Sequence, residues 1–592
     1  MNKKNTVQNR AQREAENFLK NEKQFHLGIL PTEQSNPKTR GLDKKFEADP
    51  AEGLRALLSV DADIVGMAEK IFHSWQYEKM INDVETAVRK GNKVVFSGCG
   101  STGRLSILLE SVWRRFFINL HRSAPELYYR TRKYEDSVYS IMTGGDYALI
   151  RSVESFEDYQ EFGRQQAREL NIVKGDVLVA ITEGGETSSV LGTVAEAADR
   201  GAGVFLLFNN PAEILVNNIE RSKRAIEDPR VTVLDLYCCP MAIAGSTRMQ
   251  ATTSELLVAG AALETVLLNI LNDFSDSSSG QKGQGSCNYP EAFNHLLAEL
   301  NSASNLKSLA DYIKLEVAVY KEKGLVTYFA NDHMIDIFTD TTERAPTFML
   351  PPFTKIDDKI SPPSWAFAKN PLFSTPKAWN SMLCRQPRCL KWDSALYRKM
   401  NAPQVLVDNP PLLDRDQILK FCIGNEPDNS RLSRTPNVAV NILGSNEING
   451  EYFEEYRAAS DECASAFQRS YSLVIGAGDY QTDFKIDYPV NETPLRLFRH
   501  LAFKLVLNTI STATMVLMGR VTGNWMSWVD VSNKKLKDRA VRLIGDICRI
   551  SYEDACYELH EALEELKTIT SAEEERLSPV QYTIKKIREK RS

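Results

Sequence analysis

Two glycine-rich turns, each joining a short apolar run to a helical pattern, most constrain what this chain can fold into. The first lies in Lys93–Glu110, K-V-V-F-S-G-C-G-S-T-G-R-L-S-I-L-L-E. Lys93–Ser97 has the Val and Phe content of a buried strand. Gly98, Gly100 and Gly103 let the backbone turn tightly and approach a ligand. Leu105, Leu108 and Leu109 then mark one side of a helix. Ser101, Thr102 and their amides fall at its N-terminus, where an anion is favoured. The second turn is T-E-G-G-E-T-S-S, Thr182–Ser189, between the run Asp176–Thr182 and a helix over Val190–Arg200. Hydroxyls with aligned amides bind phosphate without a lysine. Either turn alone also serves as an N-cap with no ligand. Two of them in one alternating domain favour a phosphorylated ligand.

The rest of the chain supplies the alternation. Three amphipathic patterns fill Ala51–Lys90, and Leu127–Arg130 reads as a second strand. Gly203–Phe208 and Val231–Leu236 read as strands, and G-S-T-R-M, Gly245–Met249, opens a helix through Leu271. Strands alternating with helices imply a parallel sheet covered on both faces. Asp273–Tyr289, rich in Ser and Gly, reads as a linker. Beyond it come helices to Lys321, strands at Leu325–Phe329, Val438–Leu443 and Ser472–Ile475, a proline-rich excursion over Pro346–Pro376, and a helical stretch from Pro494 onward. The order before the linker is weakly repeated after it. There F-A-N-D-H-M, residues 329–334, replaces the glycine-rich turn, so one phosphate-type site per chain is expected. The resulting division is an N-terminal arm (1–50), a first domain with the site (51–272), a linker (273–289), a second domain with a degenerate site (290–493) and a helical C-terminal region (494–592).

Bulk properties exclude several classes. A length of 592 residues allows about three to four domain-sized units. The net charge of −6 gives no basic footprint for nucleic acid. The opening residues lack an apolar signal core. Lys504, Asn508, Ser511 and Thr512 interrupt the longest apolar segment, which argues against a membrane span. Ten cysteines without a C-x-x-C pair and seven scattered histidines argue against a disulfide framework and against zinc. A cytoplasmic location, no cofactor and no metal are the expectations.

The pair of turns resembles the sugar isomerase (SIS) domain, a doubly wound phosphosugar-binding fold. E-G-G-E-T is similar to that family's phosphate turn, with Gly184 where a serine usually stands. More narrowly, G-C-G-S-T-G-R-L, T-G-G-D-Y-A, V-E-S-F-E-D, G-S-T-R-M and F-K-L-V-L-N-T-I-S-T-A-T-M-V-L-M-G-R-V-T-G-N resemble the N-acetylmuramic acid 6-phosphate etherase family and its relative, the glucokinase regulatory protein. T-E-Q-S-N-P-K-T-R-G-L-D, Thr32–Asp43, is similar to the entry segment of the latter. The resemblance implies an α/β chain of two tandem SIS-type doubly wound parallel-sheet domains with a helical C-terminal region, monomeric or at most weakly dimeric.

Carried over by position, the resemblance implies that Gly100, Ser101 and Thr102 meet sugar hydroxyls, with Ser246 of G-S-T-R-M nearby. Thr182, Gly184, Gly185, Thr187 and Ser188 would hold the phosphate. Glu343 would reach in from the second domain, and Lys504 would meet the ligand from a helix whose polar stripe otherwise needs partners inside the protein. The etherases remove lactate from a muramic acid 6-phosphate with two glutamates, one as base and one as acid. Glu157 stands at one of those positions and Val112 at the other. Glu110, two residues away, lies on nearly the opposite helix face. The implied function is phosphorylated-sugar binding (a hexose or amino-sugar phosphate) with a regulatory or sensory output, through a sugar kinase partner. The alternatives are a lyase or isomerase on a sugar 6-phosphate, with Glu157 as base, and a DNA-binding SIS regulator, against which the net charge speaks.

Overall fold

The computed structural model describes residues 3–274, 287–531, 533–567 and 578–591. Most of the linker, residues 275–286, lies outside the described residues.

Ten strands form two five-stranded sheets, parallel throughout. In the first, β1 (Val94–Gly98), β2 (Val138–Met142), β3 (Val177–Ile181), β4 (Gly203–Phe208) and β5 (Val231–Asp235) lie in the order β2-β1-β3-β4-β5. Val94 pairs with Val138 on one side and Val177 on the other. Strands β1 and β3 are buried along their whole length, as sheets covered on both faces require. In the second, β6 (Leu325–Phe329), β7 (Ala366–Lys369), β8 (Asn437–Gly444), β9 (Arg469–Ile475) and β10 (Phe484–Ile486) lie in the order β10-β9-β8-β6-β7. Strand for strand this is the same winding. The chain reverses direction across the sheet between β1 and β3, and again between β6 and β8. Crevices at such reversals, at the carboxyl ends of the strands, are where ligands bind in open α/β sheets.

The second strand differs from the sequence reading. Residues 125–131 are helical and β2 is Val138–Met142. Pro125 fixes φ at the first helical position and starts a turn of helix, which the strand-like aromatic composition obscures in the sequence. The proline-rich excursion also contributes β7 to the edge of the second sheet.

Six helices frame the crevices and join the domains: α1 (Ser101–Ser123), α2 (Ser188–Asp199), α3 (Gln250–Asn272), α4 (Met334–Phe348), α5 (Leu497–Leu517) and α6 (Lys534–Cys548). Helices α3 and α5 are long and apolar enough to cross a membrane, but 78% and 94% of their apolar windows are buried inside the fold. They are core helices: α5 packs against α3 of the first domain and α4 of the second. Helix α1 reaches the second domain too. Ser111 Oγ donates to Met382 O at 2.7 Å, and Glu110 is ion-paired to Arg385 and Arg388.

The N-terminal segment ties the C-terminal region to the first domain. Asn36 Nδ2 donates to Pro240 O (2.6 Å), Asn524 Nδ2 donates to Asn36 O (3.0 Å), and the Gly523 amide donates to Asp43 Oδ2 (2.8 Å). These bonds hold in place a stretch with little regular structure of its own.

Candidate functional site

A cavity of about 140 Å³ opens at the carboxyl ends of β1 and β3. Its walls come from four parts of the chain. The first turn supplies Gly100 and Ser101, the second Glu183 and Thr187, α4 of the second domain Glu343, and the C-terminal region Lys535 and Arg539. Ser246 and Glu157 complete the lining among the residues expected from sequence.

The glycines have specific duties. Gly100 has φ +56°, and a Cβ on it would stand 3.7 Å from Glu343 Oε1. Gly98 and Gly103 permit the close return of the turn, since a Cβ on Gly98 would lie 2.4 Å from the Thr102 backbone. Gly185 (φ +74°) turns the second loop against Phe208 and Leu215. The N-termini of α1 and α2 therefore both face the crevice, which places two helix dipole ends toward it.

Lys535 brings an ammonium to this wall. Its Nζ lies 2.7 Å from Glu186 Oε1 and 3.7 Å from Glu157 Oε1. Burial disfavours its charge, but Glu186, Glu157 and Glu33 together keep it protonated. Burial would raise Glu186, yet Lys535 and Arg221 outweigh it and hold that carboxyl at about 2. Glu157 goes the other way: burial raises it and Lys535 offsets only part. Glu183 is raised to about 7 by burial. One ionised glutamate thus anchors the lysine, while two others in the same wall are shifted toward the protonated form.

Arg539 is held by Glu33 through two bonds, 2.9 and 2.6 Å. Glu343 forms an ion pair with Arg104, whose guanidinium also donates to Ala148 O (2.8 Å) and Ser152 Oγ (3.1 Å). The second domain therefore closes the first domain's cavity with a carboxylate.

The structure brings Gly100, Ser101, Glu157, Thr187, Ser246 and Glu343 together, and leaves several expected residues behind the wall. Thr102 Oγ1 is spent within its turn, donating to Cys99 O (2.8 Å) and accepting from the Cys99 amide (3.0 Å). Thr182 Oγ1 donates to Thr187 Oγ1 (3.0 Å), Gly184 O accepts from Asn210 Nδ2 (3.0 Å), and Ser188 begins α2. Lys504 needs correction. Its Nζ has Arg248 O, Met249 O, Thr253 Oγ1 and Asn508 Oδ1 within 2.9–3.1 Å and does not line the cavity. The polar stripe of α5 is a packing network. Asn508, Ser511 and Arg248 all donate to Asp340 Oδ1, at 2.9, 2.7 and 2.7 Å. Glu110 is occupied by Arg114, Arg385 and Arg388, and Val112 is buried among core side chains.

Sequence reasoning passed over Lys535, Arg539 and Glu183. A signal existed in S-N-K-K-L-K-D-R: α6 opens with two lysines and no acidic residue in its first turn. Cations there oppose the helix dipole and call for an external reason. The histidines are also less scattered than expected. His333 and His500 both place Nδ1 3.0 Å from Asp336, a buried group able to ligate a cation. Two ring-to-carboxylate hydrogen bonds account for the arrangement without one.

Two doubly wound parallel sheets, with a cavity lined by hydroxyls and a lysine at the first reversal point, form an SIS-type fold. Within that class the chain resembles the glucokinase regulatory protein and N-acetylmuramic acid 6-phosphate etherase family. Residues 76–198 match the model of the glucokinase regulatory protein N-terminal SIS domain. N-acetylmuramic acid 6-phosphate etherase 1 of Bacillus licheniformis is 28% identical over 240 residues, 39% of this chain and 67% of that protein. The etherase of Clostridium acetobutylicum is 27% identical over 245 residues, 41% of this chain and 71% of that one. Tagatose-6-phosphate ketose/aldose isomerase from Escherichia coli, a solved structure, is 12% identical, covering 83% of this chain and 99% of that chain with a TM-score of 0.41.

Proposed function

We propose that the chain binds a phosphorylated sugar, a hexose or amino-sugar phosphate, in the cavity between its two domains. The observation that carries this is the convergence of Lys535 with the N-termini of α1 and α2. A phosphate dianion there meets a protonated ammonium, two helix dipoles and the hydroxyls of Ser101, Thr187 and Ser246. Glu343 and Glu157 are left for the sugar hydroxyls, because carboxylates accept from several O–H groups at once.

The consequence of binding has two readings. The comparisons favour an etherase-type lyase. On that reading Glu157 takes the C2 proton of the open-chain sugar, next to its C1 aldehyde, and the C3–O bond to lactate breaks. Glu183, protonated up to about pH 7 by its burial, protonates the leaving lactate oxygen, so that a 2,3-unsaturated aldehyde remains to which water adds. A receptor without turnover is favoured by one local observation, the apolar Val112 where the etherases carry their second glutamate. In that case the closed state, with Glu343 drawn onto the ligand, is the output, and a sugar kinase in the cytoplasm is the kind of partner that would read it.

Incubating the full chain with N-acetylmuramic acid 6-phosphate and assaying lactate decides between the two. Lactate release that disappears in Glu157→Gln supports the lyase. A rise in Tm with hexose 6-phosphates and no product supports the receptor. If both compounds leave Tm unchanged and neither is turned over, sugar-phosphate binding at this cavity is refuted.

A further inference from the structure

The second sheet carries a larger cavity at its own reversal point. It measures about 930 Å³, within the range of small-molecule sites, and opens where β6 and β8 end, at Asp332 and at Asn446 and Glu447. The glycine-rich turn is missing here, but the crevice that parallel topology creates has not closed. As at the first site, the other domain reaches in. Helix α1 contributes Arg115, which donates to Ser381 O at 2.7 Å, and Arg122.

We propose that this cavity binds a nucleoside phosphate, at a site distinct from the sugar-phosphate cavity. Two features select that chemistry. Flat rings stand at the wall beside cations: Arg122 lies over Tyr452, 5.8 Å from its centroid, and Lys377 lies over Phe373 at 4.1 Å. Tyr452 is 56% exposed, an aromatic face open for stacking a base. Arg115 and Arg496 add to the positive lining, which suits a phosphate. Between the rings and the strand ends lie acceptors for ribose hydroxyls. Asn380 Oδ1 is buried with no hydrogen-bond partner among the described residues. Glu447 Oε2 takes the Gly444 amide at 2.7 Å and its Oε1 the Asp332 amide at 3.1 Å, which fixes the carboxyl at the cavity floor. Burial and the neighbouring Asp332 raise this carboxyl to about 8, so it adds little negative charge against a phosphate at neutral pH. A hexose phosphate would leave most of the volume and both rings uncovered.

Calorimetric titration with adenosine 5′-monophosphate tests this on the full chain. The expected result is one equivalent bound, unchanged by Lys535→Met, which disables the first cavity. Arg122→Ala combined with Lys377→Ala should weaken it at least tenfold, and both side chains are exposed, so the fold should survive. Adenosine alone should bind at least tenfold more weakly than the monophosphate. Absence of heat at millimolar nucleotide would overturn the proposal. So would loss of binding in Lys535→Met, which would place the nucleotide in the first cavity, or glucose 6-phosphate binding to Lys535→Met with sensitivity to Arg122→Ala, which would make this a second sugar-phosphate site.

Discussion

Lys535 Nζ stands 3.7 Å from Glu157 Oε1, although one residue belongs to the C-terminal region and the other to the first domain. The contact places an ammonium beside a carboxyl in the wall of the cavity proposed for the sugar phosphate. It makes α6, a helix of the C-terminal region, part of the first domain's site.

Lys535→Met should therefore weaken sugar-phosphate binding by roughly 10- to 150-fold, the equivalent of the 1.5–3 kcal/mol typical of a charge-assisted contact. Affinity for the unphosphorylated sugar should barely change. Calorimetry on both ligands reads the difference, and an equal loss for the two would show that the lysine is not a phosphate ligand.

Lys504→Met should do something else. It removes a buried ammonium with four acceptors around it, leaving groups such as Asn508 Oδ1 and Thr253 Oγ1 short of a donor. A stability loss of about 1–3 kcal/mol is expected, with affinity per folded molecule nearly unchanged. Denaturant unfolding and calorimetry on the same preparation separate the two effects. A selective loss of phosphate affinity in a stable protein would return Lys504 to the site.

Gly245→Ala tests the seat of Arg539. Gly245 has φ +77°, and an added Cβ would lie 2.3 Å from Arg539 Nε. Strain of about 1–3 kcal/mol is expected, and the displaced guanidinium should reduce sugar-phosphate affinity as well. Unfolding midpoint and affinity should fall together; a neutral substitution would mean that the arginine has other places to go.

Glu183 gives the site a pH dependence. Its folded pKa is raised by burial from 4.5 to about 7. The stability held by its protonated form is fully present below pH 4.5 and is lost as pH rises through about 7. Ionisation also sets a negative charge in the wall facing a phosphate, so affinity should drop over the same rise. Glu183→Gln should flatten both profiles over about one pH unit either side of the wild-type midpoint. Profiles that keep their shape in this variant would assign the titration to another group.

Titration with a hexose 6-phosphate should give one equivalent per chain, because the glycine-rich turns occur only in the first domain. Light scattering should report a monomer, since the two domains already cover each other through α4, α5 and α1. Two equivalent sugar-phosphate sites, or an obligate tetramer, would contradict these expectations.

Local patterns carried much of this into the sequence. A run such as Val177–Ile181 is buried on both faces and reads as a parallel strand without help, and the glycines at 98, 100 and 103 announce a close backbone approach that no other residue permits. Those signals are short-range and survive in one dimension. The strand at 138–142 was obscured because its neighbour Leu127–Arg130, with Tyr128 and Tyr129, has the richer aromatic content, and Pro125 is the local sign that it is helical. The site's charges were a different matter. Lys504 and Lys535 both sit in polar patterns on helices, and nothing local says which faces the ligand. That choice depends on how α5 is sandwiched between α3 and α4, which turns Lys504 inward to the backbone of Arg248 and Met249, and on how Glu33 and Arg539 draw α6 across the first sheet. The sequence determined two alternating domains and a phosphate-type turn, because backbone conformation and burial period are written locally. Only the tertiary structure decided which carboxyls and which lysine meet there, because electrostatic partners at a site are chosen by proximity in space between segments hundreds of residues apart.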